Sequence, residues 1–147
     1  MVYDSIDPEK IPVEKPWIFE SIILSEEEII DFAKNFDPLP FHIDKTAAQQ
    51  SRFGRLIASG PHIFIKAHKE LIIPKLGSTI IAGLSIDQWQ FLKPVYPDTP
   101  YTLHFLAQKL KPNREKKHIV ITWQYEFFNP DHEMVQKLFV TSLHNFS

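Results

Sequence analysis

The sequence predicts an α+β domain, with helices packed on one face of an antiparallel sheet. Three observations lead there. The first half carries helix-capping signals and apolar residues at helical spacing. After Gly77 come four β-rich segments, separated by Pro/Asn/Asp breaks. Within the third of these, Ile119, Ile121, Trp123, Tyr125 and Phe127 alternate with more polar residues, the pattern of a strand with one buried face.

Residues 1–16 are polar and carry Pro8, Pro12 and Pro16. They read as an irregular N-terminal arm, placed to cross a partner subunit, ahead of a single domain over residues 17–147. Trp17 to Leu24 is aromatic and β-branched, hence a strand. Ser25 and Glu28 have capping-box spacing and open a helix. Its buried face is expected to hold Ile29, Ile30, Phe32, Ala33 and Phe36. Pro38 biases Asp37 out of the helical region and ends that helix near Phe36. Asp44 caps a short helix from Lys45 to Gln50. Ser59 is the expected N-cap of a longer helix from about Gly60 to Ile73, with Pro61 just inside its start and Pro74 stopping it. Ile63, Phe64, Ala67, Leu71 and Ile72 make that helix broadly apolar, so it should be largely enclosed. The strands follow: Thr79 to Phe91, Thr99 to Leu110, His118 to Phe128 and Met134 to Phe146.

Composition narrows the function. The 147 residues carry a formal net charge of −2, which offers no basic field to nucleic acid or an anionic membrane. There is no cysteine, which excludes disulfides, thiolate catalysis and cysteine metal sites. No apolar run approaches the ~20 residues of a membrane span, and no basic region precedes an apolar one at the N-terminus. A cytoplasmic location is expected. The seven histidines include no ligand-spaced pair; His62 and His68 are six apart, off a shared helix face. No metal is expected. Ser59 lacks the surroundings of a nucleophile elbow.

Acid/base chemistry has better candidates. Asp37 and His42 lie five residues apart on a loop stiffened by Pro38 and Pro40. Histidine exchanges protons near neutral pH, and a nearby carboxylate can act as a base or orient a water molecule. Phe36, Leu39 and Phe41 suit the lining of such a pocket. An Asp-Pro pair also opens ordinary turns, and a half-buried histidine can be structural. The Ser59-Gly60 helix start adds a carbonyl-binding element. Free N–H groups there stabilise a developing oxyanion, and a glycine lets a ligand approach the backbone. An ordinary serine cap with a turn glycine reads the same way.

The stretches F-D-P-L-P-F-H-I-D (36–44) and F-G-R-L-I-A-S-G (53–60) resemble the MaoC-like dehydratase family, which is similar to the (R)-specific enoyl-CoA hydratases. The resemblance implies a hotdog fold, an antiparallel sheet wrapped around a long central helix. It implies that Asp37 and His42 activate one water for addition across the double bond of a trans-2-enoyl thioester, giving the (R)-3-hydroxyacyl thioester. The Gly60 N–H would bind the thioester oxygen, and Phe41, Ser59 and His62 would contact the substrate. No cofactor is implied. The expected partners are an acyl thioester of CoA or of acyl carrier protein and a second copy of the chain, as a homodimer or higher homo-oligomer. Two positions depart from the hydratase pattern: Leu39 stands where an Asn is usual, and Ser59 where a His is frequent. Two other activities fit the same fold. A hotdog thioesterase would need a carboxylate on the central helix, where Glu70 is the only acid. A non-catalytic acyl-thioester binding protein would keep the pocket without turnover.

Overall fold

The computed structural model describes residues 6–146. Five antiparallel strands form one sheet in the order β1-β3-β4-β5-β2. They span Trp17–Ile22 (β1), Ile80–Phe91 (β2), Tyr101–Asn113 (β3), His118–Phe128 (β4) and Met134–Asn145 (β5). Of the Pro/Asn/Asp breaks, those at Pro94 to Asp98 and Asn129 to Asp131 separate strands; the one expected from Lys111 does not, because β3 continues through Pro112 to Asn113 and residues 114–117 make the turn.

β4 is the centre of the sheet and alternates without a fault. Its five inward residues, Ile119, Ile121, Trp123, Tyr125 and Phe127, are each no more than 2% exposed. Leu103, Phe105 and Ala107 of β3 and Leu138 of β5 extend the same buried face. Against it lie the helices, which is the hotdog arrangement. Burial of this many large apolar side chains, each contributing about 1.5–3 kcal/mol, holds the two layers together.

Helix α1 (Glu26–Phe36) starts with the expected capping box. The Glu28 N–H donates to Ser25 Oγ (3.0 Å), and the Ser25 N–H donates to Glu28 Oε1 (3.2 Å). Ile29 and Ala33 are fully buried, and Ile30 and Phe32 half-buried. Phe36 departs from its expected burial: it is 74% exposed, at the last position of α1, with its ring 5.0 Å from Phe32. The expected proline-stiffened loop contains a helical turn, α2 (Pro40–Ile43), in which Pro40 supplies a preset φ at the start. Asp44 then caps α3 (Lys45–Gln49) by accepting from Thr46 N–H and Ala47 N–H.

The central helix differs from expectation at both ends. It begins at His62 rather than Gly60, with Pro61 at the cap position and no side-chain cap. It also passes Pro74. Helix α4 (His62–Ala67) runs into a π-helical turn (His68–Ile72) and then α5 (Ile73–Leu76). The Ile73 N–H reaches back five residues to His68 O. Pro74, which has no N–H to give, falls where hydrogen bonding changes from the wider to the tighter register, so it is tolerated there.

The described part of the N-terminal arm packs on its own sheet. Ile11 is buried, and Val13 bridges to Ala107 of β3. The first five residues lie outside the described part. Among the described residues, no helix is long and apolar enough to cross a membrane.

Candidate active site

Three segments meet at the start of the central helix. The first is the α1–α2 junction. Asp37 caps α1, its N–H donating to Ala33 O (2.8 Å), and the His42 N–H donates to Leu39 O (2.9 Å). The second is the extended run from Leu56 to Gly60. Ile57 clamps it to α2 twice: its N–H donates to Phe41 O (3.3 Å), and its carbonyl accepts from His42 Nδ1 (2.7 Å). The third is the β2–β3 loop, tied in by Ala58 N–H donating to Val95 O (2.8 Å).

These clamps assign the protons on His42. A carbonyl only accepts, so Nδ1 carries the hydrogen and the neutral ring presents a bare Nε2. That nitrogen lies 3.4 Å from Asp37 Oδ2. Two acceptors face one another, and neither can satisfy the other until a donor joins them or the ring takes up a proton. The carboxylate is itself steered. Ser59 Oγ donates to Asp37 Oδ2 at 2.7 Å. Ser59 is therefore not the helix cap; its hydroxyl orients the acid of the pair.

Asp37, His42 and Gly60 line one cavity of about 510 Å³. That is within the usual range for a small-molecule site. The Gly60 carbonyl accepts from Gln136 Nε2 (2.9 Å), while the Gly60 N–H has no acceptor among the described residues. A Cβ at this position would stand 2.7 Å from the Phe91 ring, so glycine lets that ring pass close, and a larger residue would push it aside.

Phe41, Ser59 and His62 do not line this cavity. Phe41 lies edge-on to His42 (4.5 Å) and braces the ring. Ser59 acts through Asp37. The His62 ring stacks on Phe32 at 4.1 Å and 8°, and its buried Nδ1 has no partner. Burial lowers the His62 pKa to about 4; Glu28 opposes that shift and Lys66 adds to it. Leu39 is 46% exposed and away from the cavity. Glu70 is exposed on the π-helical turn, far along the helix from Gly60, and does not line the cavity.

Sequence reading missed Gln136. It is 1% exposed in β5, accepts from Trp89 Nε1 (2.9 Å) and holds Gly60. A signal was present: Gln136 shares the inward parity of Leu138, Ser142 and His144, where a polar residue needs a partner.

Comparison with known proteins follows the same lines. The family model for the MaoC like domain matches residues 9–126. The uncharacterized protein YdeM of Bacillus subtilis (strain 168) is 39% identical over 80 residues, covering 54% of this chain and 57% of that protein. The match thus spans little more than half of that relative. The crystal structure of the MaoC-like dehydratase from Rhodospirillum rubrum is 26% identical, with a TM-score of 0.81 over 97% of this chain and 99% of that one. R-hydratase PhaJ1 from Pseudomonas aeruginosa is 21% identical, with a TM-score of 0.76 over 97% of this chain and 87% of that one, a likeness of fold.

Proposed function

The chain belongs to the MaoC-like domain family, and from that premise we propose that it is a hydratase/dehydratase interconverting a trans-2-enoyl thioester and its (R)-3-hydroxyacyl thioester. The observation that carries this reading is the acceptor–acceptor pair of His42 Nε2 and Asp37 Oδ2, 3.4 Å apart in the cavity that Gly60 also lines. A water molecule there donates one hydrogen to each group, which aims its oxygen lone pair at the substrate.

In the hydration direction the water oxygen forms a bond to C3 while His42 Nε2 takes one of its protons. The C2–C3 π electrons move toward the thioester carbonyl, whose oxygen gains negative charge beside the Gly60 N–H. The imidazolium returns its proton to C2 on the same face. The net change is addition of H and OH, with His42 restored to its starting tautomer. Asp37 holds the water throughout and stabilises the transient imidazolium. Ser59, Ile57 and Gln136 position the acid, the base and the glycine.

The test is turnover of a crotonyl-type thioester, followed by loss of the enoyl absorbance and, separately, by release of free thiol. Loss of the double bond without thiol release is expected. Thiol release alone would replace this reading with a thioesterase. Tight binding with no turnover across a range of acyl lengths would make the chain a binding protein.

The same reading includes a homodimer. β2 is an edge strand of the sheet, and Ile81, Leu84, Ile86 and Phe91 along it are each about half exposed. Such an edge is a liability unless covered, and a second copy would cover it. Analytical ultracentrifugation should show a dimer that Ile86→Lys shifts toward monomer. A wild-type monomer at micromolar concentration would remove the proposal.

A further inference from the structure

Glycine has the freest backbone of any residue, and an N–H that stabilises a developing charge must already point at it. Gly60 therefore needs restraint from outside itself. The peptide plane before its Cα is held at the Ser59 carbonyl, which accepts from His62 N–H (3.0 Å). The plane after it is held at the Gly60 carbonyl, which accepts from Gln136 Nε2 (2.9 Å). Two pinned planes on either side of one Cα fix its φ and ψ, and with them the direction of the Gly60 N–H.

The second pin works only if the Gln136 amide is the right way round. Its two ends are almost the same shape, and a reversed amide would set its oxygen against the Gly60 carbonyl. Trp89 decides between them. An indole N–H can only donate, and Trp89 Nε1 lies 2.9 Å from Gln136 Oε1. Reversal would put two donors together at one end and two acceptors at the other. Gln136 is 1% exposed, so bulk water does not make up either loss.

Trp89 reaches that place through a break in the edge strand β2. Asp87 pairs with Phe139 and Gln90 with Lys137, so β2 takes three steps where β5 takes two. This bulge holds Gln88 at φ 49°, a left-handed conformation that a residue with a side chain rarely adopts. It also resets which side chains face inward. Ile86 lies opposite Val140 and Phe91 opposite Gln136, on one face of β5, although Ile86 and Phe91 are an odd number of residues apart. Trp89 shares the face of Phe91, and it alone is half-buried in the run from Gly83 to Phe91. Bulges re-aim side chains in this way beside active sites. Phe64 then holds the indole edge-on at 5.3 Å.

We infer that Trp89 is a positioning residue for the Gly60 N–H: it orients the Gln136 amide, which in turn fixes the glycine. Trp89 does not line the cavity, so it acts through Gln136 and not on the substrate. Its effect on rate rests on the hydratase reading above; its effect on Gly60 does not.

The test is a double-mutant cycle in the full chain. Trp89→Phe keeps the aromatic packing and loses the N–H; Gln136→Met keeps the shape and loses the amide. With a crotonyl-type thioester, Trp89→Phe should lower kcat about fivefold and Gln136→Met about tenfold, each with KM within about twofold of wild type. In the double variant kcat should equal that of Gln136→Met, because the two residues act as one unit. Chain labelled with glycine carrying carbon-13 at its carbonyl gives four carbonyl signals, and Gly60→Ala identifies the one from Gly60. That signal should move upfield in Gln136→Met, move the same way by less in Trp89→Phe, and stay at the Gln136→Met position in the double variant. A Gly60 signal unmoved by Trp89→Phe, an equal loss of kcat from Trp89→Phe with and without Gln136, or a rise in KM in place of the fall in kcat would each overturn the inference. If the wild type turns over no enoyl thioester, the hydratase reading falls, and the carbonyl spectra alone decide whether Trp89 sets Gly60. If Gln136→Met does not fold, Trp89→Phe decides by its Gly60 signal and its split between kcat and KM.

Discussion

His42 and His62 are almost equally buried, at 5% and 6% exposure, and both were candidates for the site. They differ in what their nitrogens meet. His42 gives Nδ1 to the Ile57 carbonyl and turns Nε2 toward a carboxylate in a cavity. His62 lies flat on Phe32 with Nδ1 unpartnered, and burial holds it neutral down to about pH 4. Burial alone therefore does not mark an acid/base histidine. An acid/base role also needs a ring nitrogen with a free lone pair facing a cavity, and of the two only His42 is proposed for it.

The largest expected effect tests the catalytic half of this contrast. His42→Ala and Asp37→Asn should each lower kcat/KM for an enoyl thioester by about 10²–10⁴-fold, with the far-ultraviolet circular dichroism unchanged. Near wild-type turnover by either variant would reduce His42 to the status of His62. Next is Gly60→Ala. The added Cβ meets the Phe91 ring and pushes it across the cavity, so kcat/KM should fall about 10²-fold. Melting temperature should change little, because Phe91 is half exposed and can swing aside.

Ser59→Ala removes the 2.7 Å bond to Asp37 and should reduce kcat about tenfold, the worth of one charge-assisted hydrogen bond. Ser59→Thr keeps the hydroxyl and should restore most of that loss; failure to do so would leave Ser59 a packing residue only. The smallest effect on activity is expected from His62→Leu, within about twofold in kcat. Its consequence lies in stability, where removing an unsatisfied buried nitrogen should contribute about 1 kcal/mol.

The same substitution has a pH signature. A folded pKa of about 4, against the ordinary 6.5, means that the unfolded chain takes up a proton the folded chain refuses. Above about pH 6.5 His62 is neutral in both states and its titration takes nothing from stability, which is lost as pH falls from there toward 4. His144 has the same depressed value from burial and adds to that slope. In His62→Leu the loss of melting temperature between pH 7 and 5 should be shallower than in the wild type. An identical slope would show that His62 is not held neutral.

Much of this was legible in the residues themselves. The capping box at Ser25 and Glu28, the cap at Asp44 and the β4 alternation are local rules, and the structure carries all of them. Pro74 was misread because a proline stops a helix only if the helix keeps one register, and the π-helical turn before it changes that register. Ser59 was read as a cap because a serine before Gly-Pro at a helix start usually is one. Its actual acceptor, Asp37, is 22 residues away in the chain. The Leu39 departure loses weight for a similar reason: that side chain faces outward, while Ser59 supplies the polar contact to the acid.

The sequence by itself determined the order of elements and the apolar faces, and it singled out Asp37, His42 and Gly60 as candidates, because periodicity, caps and short motifs act over a few residues. Only the tertiary structure decided which nitrogen of His42 is bare, which hydroxyl steers Asp37, and that Gln136 holds Gly60. Those contacts join groups 15, 22 and 76 residues apart. A hydrogen bond needs its partners within about 3 Å and in line, and only the packing of helices on the sheet brings such distant atoms to that geometry.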